Sequence, residues 1–445
     1  MAFFTAYGRG IIPETGESKK NSYARNSGLL RLQTIDVNRE GQMAKPSESH
    51  PGAVEWLAHI KALSEGIGPR GSTREGERRG SEYAKACFSR LGLTPVWETF
   101  RSARSIFHPH LLGSLLLLAA FAVFPIGGPI TKGIAALLTI VVIISELQEL
   151  GFHGNLLRAI VPKGESQNVF ATIPPNGQHQ SDLVLVGHVD TQRTPLIFRT
   201  AGWVQVYEKF TTIAFVMFLW QAVDFVLGFV FGWPWAWLAA LPAVICEVLL
   251  AALCIEAECT PFTAGANDNA SAAGLVLTLA GQFLKQPLEH TRVFIVVTGC
   301  EEVQHFGMID FYRRHRSELV APRAVVFEMM GCAGPSWSTS EGIIVPFRSD
   351  PQMLQMIEGL ALAHPEWNAY PSKLSGGNSE LADAARVGIP AITLWGIARD
   401  GVLPYWHQLG DTFDKIDADI LDRAWQMTLA LIKEIDRAEP PGRAT

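Results

Sequence analysis

Cysteine is sparse and badly spaced for bonding. The six residues Cys87, Cys246, Cys254, Cys259, Cys300 and Cys332 form no CxxC pair, which argues against a cysteine-zinc site and against a disulfide scaffold. Charge is also scarce: 18% of residues are Asp, Glu, Lys or Arg, where a soluble domain carries about a quarter. With a net charge of -6 and no basic stripe, nothing is available to neutralise phosphates, so a nucleic-acid partner is excluded. An apolar signal core is missing from the first 45 residues, a polar stretch expected to be disordered, with Met43 as an alternative start. What the chain has in excess is apolar surface, with 48% hydrophobic residues and a mean hydropathy of +0.16.

That excess is concentrated. Leu111 to Ile126 and Ile134 to Ile144 are apolar runs either side of a Gly-rich turn; Thr211 to Phe231 and Ala236 to Ile255 flank Gly232-Trp233-Pro234-Trp235. Members of the second pair approach the roughly 20 residues that cross a hydrocarbon core of about 30 Å, and their tryptophan-rich turn suits a membrane interface. Burial in a large soluble core is the alternative, but such helices carry a polar face, and here only Gln221, Asp224 and Glu247 interrupt. The two ionisable ones, Asp224 and Glu247, are expected to face other helices or water. The expected organisation is a disordered segment over 1–45, then a catalytic domain in three parts, 46–108, 151–208 and 257–445. Two transmembrane hairpins, 109–150 and 209–256, interrupt it.

Outside the hairpins Thr94 to Phe100 has strand character, and short branched apolar runs then alternate with helix-like stretches: Asp182 to Val186, Arg292 to Val297, Arg323 to Phe327 and Ala391 to Leu394. Runs without polar alternation predict strands covered on both faces, hence an α/β fold with a mostly parallel central sheet and helices on both faces. Metal-capable side chains fall at the ends of these runs. His188 and Asp190 follow the first of the buried strands, Glu301 and Glu302 the second, and Glu328 ends the third. Ligand sites of open α/β sheets lie beyond the carboxyl ends of the strands, so these groups converge on one crevice. Asp268, in Gly265-Ala266-Asn267-Asp268-Asn269-Ala270-Ser271, and His407, in Tyr405-Trp406-His407, each look ordinary alone, as a helix cap and a surface histidine. Together they supply two imidazoles and enough carboxylates for a donor set suited to zinc, cobalt or manganese.

The ordered series His-x-Asp, Gly-Ala-Asn-Asp-Asn-Ala-Ser, Glu-Glu, an acid after a strand, and Trp-His-x-x-x-Asp-Thr-x-Asp-x-Ile-Asp resembles the di-zinc aminopeptidases of the aminopeptidase Y type, peptidase family M28. The resemblance runs from about Ile60 to the C-terminus once the hairpins are set aside. It implies two zinc ions, one held by His188, Asp268 and Glu328 and one by Asp268, Glu302 and His407. Asp268 would bridge, and Glu301 would act as general base on a shared water that attacks a peptide bond. It further implies a supporting role for Asp190, oriented on the His188 ring, and an oxyanion donor in Tyr405. Three departures stand out: Glu328 where the family has aspartate, Gly377-Asn378-Ser379-Glu380 in place of a Ser-Asp element, and the long interval between His188 and Asp268. The substrate is expected to be a peptide or amide. Amide hydrolysis or glutaminyl cyclisation on the same fold, or a non-catalytic membrane scaffold, are the alternatives.

Both hairpins leave and return on one side, which predicts that they bundle beside the site and that all catalytic parts share one membrane face. Arg101, Arg104, Arg158, Lys163, Arg199 and Lys209 flank the apolar runs on that side and only Lys132 marks the far turns. The positive-inside tendency then predicts an integral membrane protein in contact with lipid, its catalytic domain cytoplasmic.

Overall fold

The computed structural model describes residues 50–151, 154–342 and 345–440. The segment expected to be disordered, 1–45, lies outside them.

The helices are α1 (Pro51–Lys61), α2 (Glu75–Arg90), α3 (Phe107–Val123), α4 (Gly128–Leu150), α5 (Leu156–Ile160), α6 (Ala201–Val230), α7 (Ala236–Ala239), α8 (Leu241–Cys259), α9 (Ser271–Lys285), α10 (Phe306–His315), α11 (Pro351–Ala363), α12 (Leu381–Arg386) and α13 (Ala418–Arg437). The strands are β1 (Val96–Ala103), β2 (Lys163–Ile173), β3 (Ser181–His188), β4 (Thr291–Thr298), β5 (Arg323–Glu328), β6 (Ser336–Gly342), β7 (Phe347–Arg348), β8 (Tyr370–Ser375) and β9 (Ala391–Trp395). They form one sheet in the order β1-β2-β4-β3-β5-β9-β6-β7, with β8 paired to β6.

The centre of the sheet, β4-β3-β5-β9, is parallel, and its flanks β1, β2 and β6, β7 are antiparallel additions. The unbroken apolar runs of the central strands have a simple cause. Leu183, Leu185, Val293, Ile295, Val325 and Phe327 enter a core shared with α1, α9 and α13, while Val184, Val186, Phe294, Val296, Ala324 and Val326 enter a second core under α10 and α12. Both faces are therefore dry, and a polar residue on either would lose its water. Strands β6, β7 and β8 escaped the sequence reading because runs such as Ser-Trp-Ser-Thr-Ser-Glu-Gly carry no apolar stripe.

The apolar segments form a four-helix bundle. α3 packs on α4 and α8, and α6 packs on α4 and α8, so each helix touches its hairpin partner and one helix of the other hairpin. The interior is built from small residues and a few large ones: Ala120, Ala135, Ala136, Ala236 and Ala240 surround Phe124 and Phe225, which stack at 4.4 Å. Small residues let helices approach closely where no hydrophobic gradient drives them together. Outward, the bundle presents a continuous apolar face, with Leu137 60% and Ile245 63% exposed and Ile134, Ile213, Val216, Val223, Val230 and Val248 beside them. Asp224 and Glu247 are buried within the bundle, off that face.

Three helices are long and apolar enough to cross a membrane, Phe107–Ile126, Gly128–Leu150 and Ala201–Val230. The fourth expected span, α8, is shorter and carries Glu247, Glu256 and Glu258, the last two near its C-terminus. Glu256 faces the Leu196 amide and Glu258 pairs with Arg193 at 3.2 Å, so the end of α8 is tied to the segment that follows β3. α6 begins ten residues before the run that announced it. At about 1.5 Å per residue its length is roughly 45 Å, half again the hydrocarbon thickness of about 30 Å.

Candidate metal centre

Five side chains from five segments meet at the carboxyl edge of the parallel strands. His188 ends β3, Glu302 follows β4, Glu328 ends β5, Asp268 lies in the turn Ala266–Ala270 before α9, and His407 lies in the loop after β9. They make two triplets, His188 with Asp268 and Glu328, and Asp268 with Glu302 and His407, and in each the candidate ligand atoms lie within 4.8 Å of one another. Asp268 belongs to both. Its Oδ1 is 3.6 Å from His188 Nε2 and its Oδ2 is 3.4 Å from His407 Nε2. Glu328 Oε1 reaches His188 Nε2 at 3.3 Å and Glu302 Oε2 reaches His407 Nε2 at 3.1 Å.

Local chemistry holds each carboxylate in place. Asp411 accepts the amide N–H groups of Asn267 and Asp268 at 2.6 and 2.9 Å, which fixes the turn that carries the shared ligand. Arg70, fully buried, donates to the carbonyls of Leu63, Gly68, Val189, Ala264 and Gly265 and closes the same turn from beneath. Asn269 donates to Glu328 Oε1 at 3.0 Å, so the longer acid at this position is braced where it meets His188. Gln192 donates to Glu302 Oε2 at 3.3 Å. Phe198, just before α6, packs edge-on against His407 with ring centroids 4.6 Å apart.

Asp190 does more than expected. It was expected to serve the His188 ring, and its Oδ1 is 3.5 Å from His188 Nδ1, with its carbonyl oxygen nearer at 3.2 Å. Its carboxylate also accepts the amide N–H groups of Glu301 and Glu302, at 3.1 and 3.2 Å, and the Ser72 hydroxyl at 2.6 Å. It is the anchor of the Glu-Glu turn. Glu301 places Oε2 3.5 Å from His188 Nε2 and Oε1 3.2 Å from His305 Nε2. Tyr405 adopts φ +60° two residues before His407, and its ring lies alongside Gly410. Among the described residues no hydrogen bond joins its hydroxyl to the five-residue cluster. Glu380 sits buried behind β4, accepting the Thr298 hydroxyl at 2.6 Å.

The cluster is electrostatically frustrated as bare protein. Burial, and after it the neighbouring carboxylates, raise the pKa of Asp268 and Glu302 well above the carboxylate range. Burial also raises Glu301, but the charges of His188 and His305 outweigh it and bring Glu301 down to about 2. Four atoms of these five residues, Asp268 Oδ2, Glu302 Oε1, Glu328 Oε2 and His407 Nδ1, are buried without a hydrogen-bond partner. Desolvated acids crowded this way are stabilised by divalent charge, and the donor set of imidazole nitrogens and carboxylate oxygens fits zinc.

Residues 252–432 match the model of peptidase family M28. Over this stretch the chain is similar to that family. The family match takes in Asp268, Glu301, Glu302, Glu328 and His407, whereas His188 and Asp190 stand before it, beyond the second hairpin. The chain is 26% identical over 185 residues to aminopeptidase YwaD of Bacillus subtilis, a match covering 41% of this chain and 40% of that protein. It therefore aligns with only about two fifths of that relative's length. Among solved structures it is similar to the glutaminyl cyclase of Fimbriiglobus ruber, with a TM-score of 0.52, 16% identity, and coverage of 88% of this chain and 99% of that one. A leucine aminopeptidase precursor from Bacteroides thetaiotaomicron follows at 0.50 and 14%, covering 86% and 96%. At such identities the shared property is the fold.

Proposed function

We propose that the protein is a membrane-anchored, zinc-dependent peptidase, most simply an aminopeptidase, that hydrolyses a peptide bond with Glu301 as general base. The observation that carries the proposal is the pair of triplets sharing Asp268, with an acid that belongs to neither, Glu301, beside them. His188, Asp268 and Glu328 would hold one ion, and Asp268, Glu302 and His407 a second. When bound, such a pair supplies an acidified water and polarises the carbonyl to be attacked.

The chain's own residues do the rest. Asp190 fixes the backbone of the Glu-Glu turn, so that one glutamate is a ligand and the next faces the space beside it. Glu301, ionised by its imidazole neighbours, takes a proton from the attacking water and returns it to the leaving amine, which departs as the C–N bond breaks. Phe198 and Trp406, in contact at 4.8 Å, wall the His407 side of the crevice with apolar surface. In the proposed topology the bundle spans the bilayer, its outward leucines, isoleucines and valines meet lipid, and the catalytic domain is cytoplasmic.

The test is hydrolysis by the detergent-solubilised protein of unblocked and N-acetylated peptides and of a peptide with N-terminal glutamine, with and without a chelator. Cleavage of unblocked peptides alone, lost with chelator and restored by zinc, supports the aminopeptidase. Ring closure of the glutaminyl peptide without cleavage would replace it by a cyclase, and turnover indifferent to chelator would remove the metal. Glu301→Gln should lower kcat by about 10²- to 10⁴-fold with metal still bound. Asp268→Asn should release both ions, as metal analysis would show.

A further inference from the structure

Glu301 is not free to swing. Its Oε1 lies 3.2 Å from Nε2 of His305, and the other nitrogen of that ring, Nδ1, lies 2.7 Å from Asp383 Oδ2. His305 and Asp383 are each about 4% exposed, so the three groups form a chain shielded from water. His305 caps the start of α10 with φ 55°, a left-handed backbone that carries its ring back over the Glu-Glu turn four residues earlier. Asp383 comes from a different element, α12, which packs beside α10 over the second core.

We propose that His305, itself fixed by Asp383, is a positioning residue that holds Glu301 in its productive orientation. The inference rests on Glu301 being the general base. By anchoring one carboxylate oxygen, the imidazole leaves the other, Oε2, facing His188 and the crevice, where a water would give up its proton. Both ring nitrogens face carboxylates, and although burial opposes charge, Asp383 and Glu301 hold the His305 pKa well above its ordinary value. Each nitrogen of the charged ring then donates, and the acid it grips is held in one rotamer. Buried charge-assisted hydrogen bonds are short and directional, which suits them to orientation. The dyad is dispensable for holding metal, because neither member is among the ligand triplets.

The full-length protein in detergent, loaded with zinc, is assayed as wild type and as His305→Phe, His305→Gln, Asp383→Ala, the double His305→Phe/Asp383→Ala, and Glu301→Gln. His305→Phe is expected to lower kcat about 10- to 100-fold, the usual effect of losing a supporting partner, with KM and bound zinc unchanged. His305→Gln, which keeps an N–H near the position of Nε2, should recover most of the loss. The double variant should be no slower than His305→Phe alone, because the two residues act through one interaction. Wild-type kcat in His305→Phe alongside an inactive Glu301→Gln would overturn the dyad and spare the base. Additive losses, or a loss confined to KM or zinc content, would also overturn it. A fully active Glu301→Gln would instead remove the base itself, a separate failure.

Discussion

The sheet and the helix bundle are both apolar, yet they spend their apolar residues in opposite directions. Ile295 in β4 is fully buried, and its neighbours Phe294 and Val296 are covered by a second layer of helices on the other face. Leu137 in α4 is 60% exposed, and the residues around it on the bundle surface are equally apolar. Composition alone cannot separate these regions. What separates them is the identity of the covering medium: helices close over both faces of the sheet, whereas among the described residues nothing closes over the bundle. An exposed apolar surface of this extent marks an interface with something else, and three of the helices are long and apolar enough to cross a bilayer.

Four substitutions sharpen or break that contrast. The largest effect is expected from Ile295→Ala, which should lower stability by about 2–5 kcal/mol, read as a drop in the melting temperature of the solubilised protein. Leu137→Arg should come next. In lipid a charge at the middle of a helix is worth about 2.5–3.5 kcal/mol, so the membrane-inserted fraction and the melting temperature in nanodiscs should both fall. An unchanged membrane fraction would mean that Leu137 faces water. Smaller still is Gln304→Ala, which removes a 2.9 Å hydrogen bond from the catalytic turn to Glu149 at the foot of α4. The expected loss is about 0.5–1.5 kcal/mol, visible as a lowered melting temperature. Leu137→Ala should have the least effect, under about 0.5 kcal/mol in detergent; a value near that of Ile295→Ala would show the bundle surface to be packed against protein.

Much of the architecture was legible in the residues because it depends on local texture. Apolar runs of four to six residues announced the parallel strands, longer ones the bundle, and the position of His188, Glu302 and Glu328 at strand ends announced a common crevice. Asp268 and His407 needed the resemblance, since a helix-start acid and a loop histidine are unremarkable alone. The supports of the site were illegible for a different reason. Asp411 beneath Asp268, Gln192 against Glu302 and Asp383 behind His305 are ordinary polar residues whose role is created by approach across distant chain. His305 stood four positions from Glu301, but only a left-handed φ brings its ring to that carboxylate, and nothing in the side-chain pattern announces it. The strands β6 to β8 were missed because polar residues pair through backbone alone, and α6 was begun late because its first three turns mix aromatic and charged residues.

The alternation of partners around the bundle carries a consequence for how the protein is made. As the chain emerges, α3 and α4 are complete long before α6 and α8, the helices that cover their inner flanks, have been translated. The first hairpin must therefore enter its surroundings half-wrapped and wait. The turn bearing Asp268 follows α8 by a few residues, so the same late stretch of chain seals the bundle and delivers the shared acid to the crevice. Neither hairpin can be excised alone without stripping the other, and a shortened, soluble variant has to lose both together.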